Sequence, residues 1–213
     1  MINMNLVSAE IFISLSIMFL LMLGVFKKNS SNLINNLSIG SLLITGVLLL
    51  NNYSENSLAL FANSYVIDDL SSLMKIITII GGAFVLSISK NYLKISKIFL
   101  IEYPILILCS ILGMMVMISS NDLMVFYIGL ELQSLALYVL ASFNRDQLKS
   151  SESGLKYFVL SALSSGLLLY GCSLIYGFSG STNFIIIGTA MDSNHYGLTF
   201  GIVFILVGLA FKI

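Results

Sequence analysis

Apolar residues along the chain form seven long runs and do not alternate with polar residues as in a half-buried strand. These runs cover residues 7–26, 33–50, 70–89, 99–118, 122–143, 156–177 and 197 onward. A helix of about 20 apolar residues crosses a bilayer, and only helices or closed barrels satisfy the backbone inside lipid. The pattern therefore predicts an all-α fold, a polytopic bundle of about seven transmembrane helices.

Composition excludes an ordinary water-soluble domain. Hydrophobic residues make up 58% of the chain and charged residues only 9%, whereas soluble domains carry about 25% charged residues. Ten basic residues balance ten acidic ones, so the formal net charge of zero indicates no nucleic-acid partner. The lipid bilayer is the partner that this composition requires.

Basic residues are distributed unevenly between the two ends of the predicted bundle. Seven of them lie in alternate connections: Lys27, Lys28, Lys90, Lys94, Lys97, Arg145 and Lys149. The N-terminus and residues 51–69, 119–121 and 178–196 contain no Lys or Arg. The positive-inside rule then places the N-terminus outside the cell. Because the first basic pair follows the first run, we expect that run to be a retained helix and not a cleaved signal peptide.

The polar stretches at 51–69 and 178–196 are rich in Asn, Ser and Gly and predict external loops. The chain contains no linker or low-complexity tract between the runs. We therefore expect residues 1–213 to form a single membrane domain.

Four ionisable residues lie near the ends of the apolar runs, namely Glu10, Lys75, Glu102 and Lys156. Helix rise places each within about 8 Å of an interface. Side chains at that depth stay hydrated or snorkel to the headgroups, so interfacial anchoring is the simplest interpretation.

Glu131 differs from these four because it lies roughly 13 Å deep in the fifth run. Tyr127, Ser134 and Tyr138 share its helix face, and this polar stripe must face protein or a hydrated cavity. Acids inside a membrane commonly mark proton relays. The alternative is a protonated Glu131 that only hydrogen-bonds a neighbouring helix.

Lys212 lies deep in the seventh run, one turn after Gly208. A buried lysine can act as a proton carrier. If Lys212 met Glu131, the two groups would form a switchable ion pair, although the sequence does not show that they touch.

Other residues indicate no further chemistry. Cys109 and Cys172 lie inside apolar runs without metal-ligand spacing, and the chain has no phosphate-binding, metal-binding or nucleophile motif. We therefore expect no metal or cofactor in this chain. Small residues four apart, such as Ser161 with Ser165 and Gly197 with Gly201, indicate close helix packing only.

Several segments carry a family resemblance that covers most of the chain and is specific from about residue 100 onward. They read LGMMVMISSNDLMVFYIGLELQSLALYVLASF (112–143), ESGLKYFVLSALSSGLLLYGCSLIYGFSGSTNF (152–184) and VGLAFKI (207–213), with DDLSSLMKI (68–76) earlier. The chain resembles subunit N of the proton-pumping NADH:quinone oxidoreductase, respiratory complex I. That family has antiporter-like membrane subunits of about fourteen helices with two inverted five-helix repeats.

The resemblance implies roles for individual residues. Glu131 in GLELQSL and Lys212 in LAFKI match the proton-relay Glu and Lys of the family, and Lys156 in SGLKYFVL matches a third relay residue. Glu102 in EYPILIL matches an accessory acid. Tyr127, Ser134 and Tyr138 are our further accessory candidates on the face of Glu131.

The resemblance also implies an enzyme subunit that translocates protons in a bacterial inner membrane beside other membrane subunits. NADH, FMN, Fe–S clusters and quinone would be bound by other subunits. The first three helices would precede an incomplete antiporter-like repeat that begins near residue 99. Because the sequence stops at the seventh-helix lysine, we expect an N-terminal fragment.

Two other functions remain open. An antiporter-like subunit of a multisubunit cation/proton antiporter or of a membrane-bound hydrogenase would share the fold and the paired ions. A structural membrane protein without transport would instead place Glu131 against a neighbouring helix, with neither a polar contact to Lys212 nor a cavity.

Overall fold

The computed structural model describes residues 4–27, 30–51, 58–96, 98–191 and 196–212. A short 3₁₀ helix (Met4–Val7) leads into the helices α1 (Ser8–Phe26), α2 (Ser31–Asn51), α3 (Asp69–Ile95), α4 (Glu102–Ile118), α5 (Leu123–Ala141), α6 (Leu148–Ser179), α7 (Phe184–Ala190) and α8 (Tyr196–Ala210). Strands β1 (Leu58–Leu60) and β2 (Tyr65–Ile67) form an antiparallel hairpin between α2 and α3.

The seven predicted spans correspond to α1–α6 and α8. Five of these helices are long and apolar enough to cross a membrane, and α4 and α8 are shorter apolar helices. The structure therefore confirms a polytopic transmembrane helix bundle. Large apolar side chains cover its outer faces, as lipid contact requires.

Several boundaries differ from the predicted ones. Helix α6 begins at Leu148, before the apolar run, and α3 continues to Ile95. Lys90 and Lys94 therefore lie on the last turns of α3 and not in a connecting loop. A helix can extend past the hydrocarbon core because its own hydrogen bonds persist in water. Lys28 and Lys97 lie outside the described residues.

The predicted external loops contain structure that the polarity pattern did not predict. The hairpin lies within 51–69, and α7 lies within 178–196. Asp68 and Ser71 form a reciprocal capping box at the start of α3. Asp122 caps α5 by accepting a hydrogen bond from the Met124 amide at 2.8 Å.

Three connections that lack Lys and Arg meet at the same end of the bundle. The Val66 amide donates to the Ser119 carbonyl at 2.8 Å, and the Asn121 amide donates to the Ser64 carbonyl at 2.9 Å. The Leu123 amide donates to the Thr182 carbonyl at 2.8 Å. Backbone hydrogen bonds therefore join the hairpin, the α4–α5 turn and the α6–α7 turn into one polar cap.

Two apolar clusters fill the interior. The first lies among α1–α4 and includes Ile13, Leu42, Leu86 and Leu108. The second lies mainly between α6 and α8 and includes Leu168. Helices α4 and α5 approach so closely that a Cβ atom built on Gly113 would lie 2.6 Å from the backbone nitrogen of Gln133.

Glu10 and Lys75 form a buried ion pair, so the prediction that they are interfacial anchors is wrong. Their side chains are 7% and 2% exposed, and Lys75 Nζ lies 2.6 Å from Glu10 Oε1. The Tyr65 hydroxyl donates to the same carboxylate oxygen at 2.5 Å and accepts from Lys75 Nζ at 2.8 Å. The reason is the hairpin, which lays Tyr65 over this end of α1 and α3 and excludes solvent.

The Tyr65 phenol lies on β2, outside the membrane-spanning helices. Burial, and after it the Glu10 carboxylate, raises its pKa. The phenol therefore keeps its proton and remains a hydrogen-bond donor. A neutral phenol, a carboxylate and an ammonium group together carry no net charge, which favours a structural role for this cluster.

We expect Gly113→Ala to destabilise the α4–α5 contact by about 1–3 kcal/mol, because the new methyl group overlaps the backbone of α5. The midpoint of thermal unfolding in detergent measures this loss. Gly166→Ala on α6 is the matched control, since a Cβ atom there meets nothing within 4 Å. That control should be neutral or more stable by up to about 1 kcal/mol. Equal midpoints for the two variants would show that the helices are not in close contact.

Glu10→Ala leaves the buried Lys75 ammonium without its partner, and we expect a loss of about 3–5 kcal/mol in unfolding free energy. The double variant Glu10→Leu/Lys75→Met removes both charges and should recover most of that loss. Glu152→Ala breaks an exposed i,i+4 pair and should cost only about 0.3–0.5 kcal/mol. Detergent unfolding curves of the four proteins test the burial, and a Glu10→Ala loss as small as that of Glu152→Ala would contradict it.

Candidate functional site

Glu131 and Lys212 meet in the structure, a contact that the sequence left open. Glu131 projects from the middle of α5, and Lys212 follows the end of α8. Lys212 Nζ lies 2.5 Å from Glu131 Oε1, and the two side chains are 10% and 21% exposed respectively. A charge-assisted hydrogen bond of this length joins residues that are far apart in the sequence.

Contact between α6 and α8 holds Lys212 in place. The Ser164 hydroxyl donates to the Gly208 carbonyl at 2.8 Å. A Cβ atom on Gly208 would lie 2.8 Å from the Cβ of Leu168, so glycine is required for this approach. The turn after α8 is closed by a 2.9 Å hydrogen bond from the Lys212 amide to the Leu209 carbonyl, which directs the lysine toward α5.

Ser165 on α6 is a member of the site that the sequence did not predict. Its hydroxyl lies 2.5 Å from Glu131 Oε1 and 2.9 Å from the Ser161 carbonyl. One hydroxyl proton cannot serve both acceptors at once, so Ser165 can change partner when Glu131 changes its protonation state. The sequence signal was the pair of serines four residues apart, which we had assigned to helix packing alone.

The polar face of α5 faces protein, one of the two predicted alternatives, and its residues make different contacts. The buried Tyr138 hydroxyl donates to Ser161 Oγ on α6. Ser134 is buried and donates to the backbone carbonyl of Glu131 at 3.1 Å, not to the carboxylate. Tyr127 is partly buried against the α6–α8 apolar cluster. These contacts hold α5 against α6 and fix the backbone at Glu131.

Lys156 and Glu102 lie apart from the pair. Lys156 Nζ is 2.6 Å from Glu152 Oε1, and these side chains are 67% and 53% exposed. Lys156 precedes Ser165 by nine residues on α6, and about 100° per residue puts it on the opposite helix face. Glu102 is the first residue of α4 and is exposed.

A cavity of about 200 Å³ adjoins the pair. Its polar lining comes from Gln133, Ser134, Tyr157, Ser161 and Lys212. The rest of its wall is apolar, and a space of this size has room for several water molecules beside these polar groups. The site therefore combines a paired acid and base with space for water, and the structural-protein alternative, which expects neither, is not favoured.

Within the described residues, no group of three or more His, Cys, Asp or Glu side chains could hold a metal ion. Cys109 is partly buried, Cys172 is buried, and both are free thiols. The titratable and hydroxyl groups that the site brings together are Glu131, Lys212 and Ser165.

The sequence matches known membrane subunits over nearly its whole length. Residues 120–213 match the family of transmembrane domains described as "NADH:quinone oxidoreductase/Mrp antiporter, TM". NADH-quinone oxidoreductase subunit N of Pelagibacter ubique is 80% identical over 99% of this chain. The chain spans about 45% of the length of that relative.

Solved structures share the fold. Respiratory complex I from Thermus thermophilus with bound aureothin contains a chain that superposes with a TM-score of 0.77 at 24% identity, over 96% of this chain and 43% of that one. An archaeal membrane-bound sulfane sulfur reductase contains another, with a TM-score of 0.84 at 20% identity, over 96% of this chain and 44% of that one. Over nearly its whole length, the chain is therefore similar to somewhat less than half of an NADH-quinone oxidoreductase subunit N.

Proposed function

We propose that this chain is part of a proton-translocating membrane subunit of an NADH:quinone oxidoreductase. The observation that carries the proposal is the Glu131–Lys212 ion pair, which joins α5 to α8 beside a cavity that Lys212 lines. Quinone reduction in other subunits would supply the driving force. NADH, FMN, Fe–S clusters and quinone would be held by those subunits and not by this chain.

Coulomb coupling within the pair supplies the mechanism. Two unit charges about 4 Å apart interact by about 4 kcal/mol at an effective dielectric constant of 20. While the pair is closed, each charge stabilises the other. If a conformational change separates them, the carboxylate and the ammonium group lose that stabilisation together, which favours proton uptake by Glu131 and proton release by Lys212. The cavity beside Lys212 supplies water to exchange those protons.

The proposal includes an orientation of the chain in the membrane and a domain organisation. The Lys- and Arg-bearing connections would face the cytoplasm of a bacterial cell, and the N-terminus and the polar cap would lie outside the inner membrane. Helices α1–α3 would form the first part of one membrane domain, with the antiporter-like repeat following from about residue 99. Other membrane subunits and lipid would be its partners.

Lys156 and Glu102 enter the proposal in subordinate roles. Lys156 would be the next proton carrier on α6, reached only after its pair with Glu152 opens. Glu102 would act as an accessory acid at the start of α4, at the end of the bundle that carries Lys90 and Lys94.

A second candidate function is a subunit of a cation/proton antiporter or of a related membrane-bound hydrogenase complex. The matching family includes Mrp antiporters, and the sulfane sulfur reductase shares the fold. Genes for further NADH:quinone oxidoreductase subunits beside this gene favour the first function. Antiporter or hydrogenase genes there favour the second.

Glu131→Gln keeps the shape of the side chain but removes its charge. We expect the full-length subunit with this change, assembled in its oxidoreductase, to translocate protons at least about tenfold more slowly. A positioned acid or base typically contributes about 10²–10⁴-fold. Proton uptake by inside-out vesicles during NADH oxidation is the measurement. Asp69→Asn at the exposed start of α3 is the matched control, and parent-like uptake with Glu131→Gln would refute the proposed role.

Lys212→Met should impair proton uptake more strongly than Lys156→Met. The first change leaves the half-buried Glu131 carboxylate unpaired, whereas the second breaks only an exposed pair worth about 0.3–0.5 kcal/mol. We expect a loss of about tenfold or more for Lys212→Met and less than about threefold for Lys156→Met, from the same vesicle assay. The reverse order would assign the main relay to α6 and contradict the central place of Lys212.

A further inference from the structure

A second space lies on the side of α5 and α6 that faces the Lys- and Arg-bearing end. This crevice of about 450 Å³ is lined by Tyr138, Ser142, Arg145 and Ser151, among others. Arg145 and Ser151 lie at the α5–α6 connection, so the crevice opens where those helices are joined. The cavity at Lys212 lies further along the same interface.

One side-chain hydrogen bond connects the two spaces. Tyr138 lines the crevice, Ser161 lines the cavity, and the Tyr138 hydroxyl donates to Ser161 Oγ. Both residues are buried. The hydroxyl pair thus stands in the wall that separates the crevice from the cavity.

Aromatic rings fix Tyr138 in this wall. Its ring centroid lies 4.9 Å from that of Tyr157 and 5.8 Å from that of Phe158, and both contacts are edge-to-face. These rings place apolar surface around the Tyr138 hydroxyl. The Tyr138 and Ser161 hydroxyls are therefore polar groups through which a proton can pass between the crevice and the cavity.

We propose that Tyr138 and Ser161 pass protons between the crevice at the basic end and the cavity that contains Lys212. This inference rests on the proposed function and adds its route of entry. A hydronium ion in the crevice gives a proton to the Tyr138 oxygen, Tyr138 gives its own proton to Ser161 Oγ, and Ser161 gives its proton to water in the cavity. Three O–H bonds form and three break, and rotation of the two hydroxyls restores the starting state.

Ser165 lies near the inner end of the route and positions the Glu131 carboxyl group. It follows Ser161 by one helical turn, and its hydroxyl lies between the Ser161 carbonyl and Glu131 Oε1. When Glu131 is ionised, Ser165 donates to the carboxylate. When Glu131 has taken up a proton, the Ser165 hydroxyl can donate to the Ser161 backbone carbonyl instead. It therefore positions the carboxyl group in both states.

Tyr138→Phe and Ser161→Ala, each in the full-length subunit of the assembled oxidoreductase, test this route. We expect proton uptake from the basic side to slow at least fivefold in both variants, while Ser161→Thr, which keeps a hydroxyl, stays within twofold of the parent. Tyr170→Phe and Ser173→Ala lie on exposed positions of α6 and serve as matched controls that should leave uptake unchanged. The amount of assembled complex is measured for each variant beside its rate of uptake, because a purely structural role for the hydroxyls would lower assembly and not the rate per assembled complex.

Parent-like uptake in Tyr138→Phe and Ser161→Ala, alongside impaired uptake in Glu131→Gln, would overturn the route and leave the proposed function standing. Parent-like uptake in Glu131→Gln as well would overturn both. If Tyr138→Phe fails to assemble, the comparison of Ser161→Ala with Ser161→Thr decides alone. Equal rates for those two serine variants would then refute the route.

Discussion

A carboxylate and an ammonium group placed among apolar helices are stable only together, and the Glu131–Lys212 pair meets that requirement across two helices. Lys212 reaches the carboxylate because the Ser164–Gly208 contact holds α8 against α6. Glu131 faces the same point because the polar face of α5 packs on α6. The positions of three helices therefore converge on one hydrogen bond, and a change in either charge alters the balance of forces on all three.

Two ion pairs of nearly equal length in this protein have different physical properties. The Glu10–Lys75 pair is sealed by Tyr65 and the hairpin, carries no net charge as a cluster, and has less than a tenth of either side chain exposed. The Glu131–Lys212 pair is more exposed, and Lys212 lines a cavity with several polar side chains in its wall. Proton exchange requires access to water as well as a suitable acid and base. The surroundings therefore favour a structural role for the first pair and are compatible with the proton exchange that we propose for the second.

Sequence reasoning found Glu131 because depth in an apolar run depends only on counting residues along one helix. Lys212 was a candidate for the same reason, but its contact with Glu131 depends on how α8 packs, which no single helix reveals. Ser165 was missed because a serine in an apolar helix can equally serve packing or hydrogen bonding. The position of Lys75 was misjudged because distance from a helix end measures access to water only where no loop folds over that end, and here the hairpin does so.

Infrared difference spectroscopy of the assembled oxidoreductase, recorded before and after quinone reduction, tests most directly whether the Glu131 carboxyl group exchanges a proton. We expect a carboxylic-acid C=O band that appears or disappears with turnover, shifts in deuterium oxide, and is absent from the Glu131→Gln variant. A difference spectrum that is identical in the parent and in Glu131→Gln would show that this carboxyl group keeps one protonation state throughout, and it would contradict the central claim.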